Sequence, residues 1–140
     1  GYQVKIENQL ISSSSQATEI GAKIDIVAVM AQGDVVNGEK VFKKCAACHS
    51  INKGGKNKIG PALYNVVGRV VGGLDNYKYS KALASYGKEW TFAELNGFLK
   101  KPSSYLKGTK MSYAGLRKEI DRASVIKYLN QNSDSPKLLP

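Results

Sequence analysis

The stretch Cys45-Ala46-Ala47-Cys48-His49 constrains this 140-residue chain more than any other, because it holds both cysteines and the single histidine of the sequence. Cys-x-x-Cys-His is the attachment pattern of a c-type haem. Two thiols at that spacing add across the two haem vinyl groups as thioethers, and the histidine directly after the second thiol reaches the iron from one face. A structural zinc site needs four Cys or His ligands, and the chain has no second Cys/His pair to complete one. A thioredoxin-type redox pair wants a βαβ pattern around it, whereas Glu39-Lys40-Val41-Phe42-Lys43-Lys44 reads as helix with no strand-rich flanks. The helical context and the adjacent His49 also argue against a structural disulfide. One covalent haem, held through Cys45 and Cys48, is the cofactor expected.

Length and charge narrow the rest. One hundred and forty residues make one domain with a tail, and a modest core to which a buried porphyrin adds apolar surface. The formal charge of +10 is unevenly placed. Residues 1–36 carry two lysines against four carboxylates, while the remaining 19 basic and seven acidic side chains give residues 37–140 a net +12. Such a domain suits an acidic partner. The absence of an arginine-rich stripe or a nucleic-acid module argues against nucleic acid. The longest apolar run, Ile26 to Ala31, is far short of the roughly 20 residues that span a bilayer. Haem attachment to this pattern takes place outside the cytoplasm, so an export signal or anchor upstream of Gly1 is expected.

Along the chain, residues 1–33 read as a tail or linker around Ser12-Ser13-Ser14-Ser15, residues 34–134 as the haem domain, and residues 135–140 as a C-terminal tail. Asp34 N-caps a helix running to about Cys45 or Cys48. Ser80 caps a short helix ending at Gly87. Thr91-Phe92-Ala93-Glu94 has the pattern of a capping box for a helix that stops before Pro102. A last helix spans Lys118 to about Asn130, with Ala123, Ile126 and Leu129 or Tyr128 inward. Nothing predicts a sheet. The expected fold is all-α: four or five short helices and long loops, the loops needing something to wrap.

A single histidine leaves the sixth iron position to another residue type. Met30 lies in the apolar run and reads as core or interface filler. Met111 lies in the Gly-bounded loop Lys107–Gly115, and is the favoured second ligand for His49. A His/Met iron has a raised potential and is closed to small molecules. The competing classes are an enzyme or sensor with an open iron, and a docking subunit whose basic domain only recruits partners.

Cys45–His49, Gly60-Pro61-Ala62-Leu63-Tyr64, Gly68-Arg69, Tyr77-Lys78-Tyr79-Ser80, Trp90-Thr91 and Gly108-Thr109-Lys110-Met111 through Gly115 stand in the order seen in the class I cytochromes c, which residues 34–133 resemble. The chain is similar to the membrane-anchored bacterial cytochromes of the c552 type, which join a mitochondrial-like cytochrome c domain to an N-terminal anchor through a linker. The resemblance implies a cytochrome c fold around one haem, with His49 and Met111 as axial ligands and the Pro61 carbonyl accepting from the axial histidine. It implies that Arg69, Tyr79 and Trp90 hold the propionates, and that Gly38, Phe42 and Tyr128 pack the first and last helices together. Phe98 and Leu83 depart from polar residues frequent in the family, so that pocket's hydrogen-bond network is not expected here, and Tyr113 stands where Phe is frequent. Lys40, Lys44, Lys56, Lys58, Lys110, Arg117 and Lys118 match or flank a basic ring at the haem edge, with Lys44, Lys58, Lys110 and Lys118 the docking lysines expected. The same resemblance implies a non-enzymatic one-electron carrier on the periplasmic side of the inner membrane. Its haem domain is expected to be monomeric, and its partners to be the cytochrome bc1 complex and a haem–copper oxidase with acidic docking surfaces.

Overall fold

The computed structural model describes residues 25–140, and residues 1–24, with the Ser12–Ser15 run, lie outside it. Six helices succeed one another among the described residues. α1 covers residues 25–31, and α2 (Val35–Phe42), α3 (Lys81–Ala84), α4 (Phe92–Lys100), α5 (Pro102–Tyr105) and α6 (Glu119–Gln131) come after it. Among the described residues, extended pairing is confined to an isolated antiparallel bridge between Val70 and Glu89.

Local chemistry explains where the helices begin. Asp34 is extended, and its side chain accepts from the Val36 amide, one of the orphan donors of the first turn of α2. Ser80 and Thr91 do the same at α3 and α4, accepting from the amides of Leu83 and Glu94. The expected capping box at α4 is half built. Thr91 caps, but the Glu94 carboxylate turns away to accept from the hydroxyls of Tyr86 and Tyr105. Two phenol donors offer a carboxylate stronger bonds than a single backbone amide. Pro102 ends α4 after Lys100 and then starts α5 at its first position, where its missing N–H costs nothing. The four residues of α5 were not expected from the sequence.

The core rests on α2 against α6. Gly38 faces the backbone of α6, and a Cβ there would collide with the Ser124 carbonyl oxygen and sit 2.9 Å from the Tyr128 Cβ. Phe42 and Tyr128 pack with ring centroids 5.5 Å apart. Ala123, Ile126 and Leu129 are buried, as the helical spacing predicts. Arg122 is buried as well. Its Nε donates to Asn96 Oδ1 at 2.7 Å and its terminal nitrogen to the carbonyls of Leu116 and Arg117, tying α6 to α4 and to the loop between them.

Packing at both ends reaches past the expected domain boundaries. Upstream of the one placed near Asp34, Val29 and Met30 of α1 are core residues. Gln32 Nε2 donates to Glu119, and Lys127 Nζ donates to the Gly33 carbonyl. The apolar run read as the end of a linker is thus a helix that puts Val29 and Met30 into the core. At the other end, the segment read as a tail folds back. Asn130 exchanges two hydrogen bonds with the Lys137 backbone, and Asp134 accepts from Tyr64 Oη and Asn65 Nδ2. Among the described residues, no helix is long and apolar enough to cross a membrane.

Candidate functional site

The two cysteines lie in the turns that continue α2. The amides of Cys45 and Ala46 bond to the Phe42 carbonyl, and those of Cys48 and His49 to the Cys45 carbonyl. These bonds wind residues 43–49 tightly and set both thiols and the imidazole on one short segment. Both thiols are free and half-buried. Burial pushes the Cys45 thiol above its usual range; the neighbouring Cys48 adds to this and Lys44 opposes it.

His49 is oriented from its far side. Its Nδ1 stands 2.7 Å from the Pro61 carbonyl oxygen. A carbonyl only accepts, so Nδ1 carries the proton and the neutral ring keeps Nε2 as its unprotonated nitrogen. Burial lowers the pKa of the ring, opposed by the bond to Pro61 and assisted by Arg69, which favours that neutral form. Gly60 lies flat against the ring: a Cβ there would collide with Cε1 and stand 2.7 Å from both nitrogens. Replacing Gly60 with Ala is therefore expected to displace the ring or the loop, at about 1–3 kcal/mol in denaturant unfolding of the haem-loaded protein. A stability change below about 0.5 kcal/mol would show that the contact relaxes freely.

A second segment brings Arg69 and Trp90 together. The Gly68 amide donates to the Trp90 carbonyl and the Trp90 amide to the Arg69 carbonyl, both at 2.8 Å, with the Val70–Glu89 bridge alongside. Arg69 donates to the carbonyls of Ala62 and Tyr64, while its buried Nε has no protein partner. Burial lowers its pKa, opposed by Tyr79. Tyr79 Oη accepts from the Leu74 amide, and its ring stacks edge-on with Tyr77 at 4.8 Å. Tyr77 and Asn57 are functional supports that sequence reasoning did not assign. Tyr77 Oη donates to the Ile59 carbonyl, and Asn57 joins Asn76 to the Ala62 amide, fixing the loop that carries Pro61.

Met111 is half-buried against the core, its amide bonded to Thr109 Oγ1. Met30, by contrast, is 1% exposed and packed in α1. Phe98 stacks edge-on against Trp90 at 5.0 Å, and Leu83 is half-buried, so both departures from polar residues sit at the core. The expected docking lysines are exposed. Lys58 Nζ donates to the Ala46 carbonyl and Lys110 Nζ to the Lys78 carbonyl, so these two also brace loops. Lys118 stands at the N-terminus of α6.

The cytochrome c family profile matches residues 35–133. The chain belongs to the cytochrome c family. A cytochrome c homolog from Rickettsia bellii is 43% identical over 129 residues, covering 92% of this chain and 73% of the relative. A cytochrome c2 from Agrobacterium tumefaciens is 45% identical over 101 residues, covering 70% of this chain and 91% of the relative. Among solved structures, cytochrome cH from Methylobacterium extorquens superposes with a TM-score of 0.67 at 39% identity, over 71% of this chain and 99% of its own. Members of this family are electron carriers, not enzymes, and their cofactor is a covalent haem c.

The residues of this cytochrome fit that cofactor. Two half-buried thiols stand at the required spacing. The imidazole is oriented with Nε2 unprotonated, and the buried Arg69 Nε is a donor suited to a propionate.

Proposed function

We propose that this cytochrome is a one-electron carrier whose haem iron is ligated by His49 and Met111, and that it passes electrons from a cytochrome bc1 complex to a haem–copper oxidase. The observation that carries the reading is the His49–Pro61 bond at 2.7 Å with Gly60 flush against the ring. It supports a histidine whose orientation and tautomer are set before any electron moves, an outer-sphere device that also strengthens the ligand. Met111 is the half-buried methionine of a Gly-bounded loop, which supports it as the second ligand. The haem supplies the redox couple, and the protein supplies orientation and potential tuning. Thioethers from Cys45 and Cys48 keep the cofactor from dissociating. Arg69, Tyr79 and Trp90 hold the propionates, where the unpartnered Arg69 Nε supports a charge-assisted bond.

Lys44, Lys58, Lys110 and Lys118 guide an acidic partner to the haem edge. The net charge of +10 supports electrostatic encounter, and transient redox partners need a small, polar interface with fast release. The full-length protein is read as anchored to the inner membrane with its monomeric haem domain, residues 34–134 extended to include α1, on the periplasmic side.

Two measurements test this. The oxidised holoprotein should show the weak long-wavelength absorption band of iron–thioether bonding. Electron transfer to an isolated oxidase should slow steeply as ionic strength rises and the screening length falls to about 8 Å near physiological salt. A rate indifferent to salt would remove the docking role from the lysines.

A further inference from the structure

A single carboxylate oxygen joins three parts of the chain. Glu94 Oε2, in the first turn of α4, accepts from Tyr86 Oη at 2.6 Å and from Tyr105 Oη at 2.7 Å. Both distances are those of bonds to an ionised acceptor, and a carboxylate oxygen has two lone pairs for them. Lys88 Nζ stands 3.7 Å from Glu94 Oε1 and 5.4 Å from the centroid of the Tyr86 ring. The Glu94 side chain is only 14% exposed. The Tyr105 ring lies in a cradle on α4, where a Cβ on Gly97 would collide with Cε2 and stand 2.7 Å from Cζ. Burial and the bond to Glu94 hold the Tyr105 phenol above its ordinary range, keeping its donor in place.

Tyr105 is the last residue of α5, and the Met111 loop begins directly after it. Met111 and Tyr113 pack against the core, but few hydrogen bonds tie that loop to the rest of the fold. Leu106 is buried, the Lys110 side chain reaches the Lys78 carbonyl, and the backbone rejoins the fold where the Leu116 amide donates to the Leu99 carbonyl. The Thr109 amide and the Met111 amide are bonded within the loop itself, to Leu106 and to Thr109. A segment held this sparsely opens at low free-energy cost, so each attachment at its ends weighs on the opening.

We infer that Glu94 is a positioning residue for Met111: through Tyr105 it clasps the entry of the ligand loop to α4 and keeps that loop closed over the iron. The inference rests on Met111 being the iron's sixth ligand. Tyr86 shares the same carboxylate but belongs to the loop after α3, so it supplies an internal comparison. Losing its hydroxyl removes a hydrogen bond of similar geometry while the Tyr105–Glu94 bond at the end of α5 remains.

The test is imidazole binding to the oxidised holoprotein, followed by loss of the long-wavelength band. An incoming ligand reaches the iron only in the open fraction, so its apparent affinity rises in proportion to that fraction. Tyr105→Phe keeps the ring in its cradle and removes only the hydroxyl. It should tighten imidazole binding about tenfold, the ratio set by about 1.4 kcal/mol, and Glu94→Ala by at least as much. Tyr86→Phe should stay within about twofold of the parent even where its unfolding midpoint falls equally. Amide hydrogen exchange over residues 107–115 reads the same opening without the iron, and should be about tenfold faster in Tyr105→Phe alone of the two phenylalanine variants. An unchanged affinity and exchange rate in Tyr105→Phe, or an equal rise in Tyr86→Phe, overturns the clasp. Absence of the long-wavelength band in the parent protein would instead strike the Met111 reading, leaving hydrogen exchange to judge the clasp.

Discussion

Met111→Ala is expected to abolish the long-wavelength band of the oxidised protein. It should also lower the reduction potential by on the order of 0.1 V or more, a fraction of the roughly 0.8 V that axial ligation spans across haem proteins. A thioether stabilises ferrous iron relative to the water that would replace it, which gives the sign. The assignment turns on where the two methionines sit. Met30 is 1% exposed and belongs with Val29 to the buried core. Met111 is half-buried on a loop bounded by Gly108 and Gly115, both in the left-handed region. Gly115 is also where the loop crosses the end of α4, since a Cβ there would collide with the Lys100 carbonyl oxygen. Met30→Ala is the matched control. It should cost about 2–5 kcal/mol of stability by opening a cavity and leave the absorption band and the potential unchanged. The Met111 assignment is lost if Met111→Ala keeps the parent band, or if Met30→Ala removes it.

The site was more legible in the sequence than its supports. Cys45, Cys48 and His49 are adjacent in the chain, and their chemistry demands that adjacency, so no folding step had to be guessed. Helix starts were legible where a side chain caps its own first turn, as at Asp34, Ser80 and Thr91. Illegible were features made by partners distant in sequence. Asp134, the last residue of the domain as read from the sequence, meets Asn65 across 69 positions, a pairing that no local pattern signals. Asp134 illustrates the electrostatic side of the same point. Its carboxyl is held below the usual range by bonds from Asn65, Lys53 and Tyr64, so whatever the contact adds is present above the ordinary carboxylate pKa and is lost as pH falls through the depressed one. The α1 run is equally apolar whether it is a linker or a helix of the core, and only the packing of Met30 decides. Glu94 shows the converse. Its position three residues after Thr91 suits a capping box, but two tyrosines, one eight positions before it and one 11 after it, claim the carboxylate instead. Arg122 likewise is buried through a partner, Asn96, that lies 26 positions away in sequence.

Gly38→Ala is expected to be strongly destabilising. Adding a methyl in an exposed helix normally stabilises by up to about 1 kcal/mol, because alanine is the better helix former. At Gly38 that gain is reversed, since the Cβ would collide with the Ser124 carbonyl oxygen and press on its carbon at 2.7 Å. The obstacle is backbone in the middle of α6, so no side-chain rotamer can relieve it. Either α2 and α6 move apart, or α6 bends where Asp34 N and Asn37 Nδ2 bond to Ser124 Oγ. Separation would loosen the Phe42–Tyr128 contact one turn away and expose core at Ala123 and Ile126. Overpacking costs about 1–3 kcal/mol when side chains absorb it, and a backbone obstacle places this case near ~4 kcal/mol, at the exceptional end of single substitutions. For a domain of this size, that corresponds to a fall of roughly 15 °C or more in Tm. Calorimetry or denaturant unfolding of the haem-loaded protein would measure it. Gly87→Ala is the comparison, because its Cβ would meet nothing within 4 Å and only the positive φ of 74° opposes it. If Gly38→Ala costs no more than Gly87→Ala, then α2 and α6 are not in the close contact that fixes the segment carrying Cys45, Cys48 and His49.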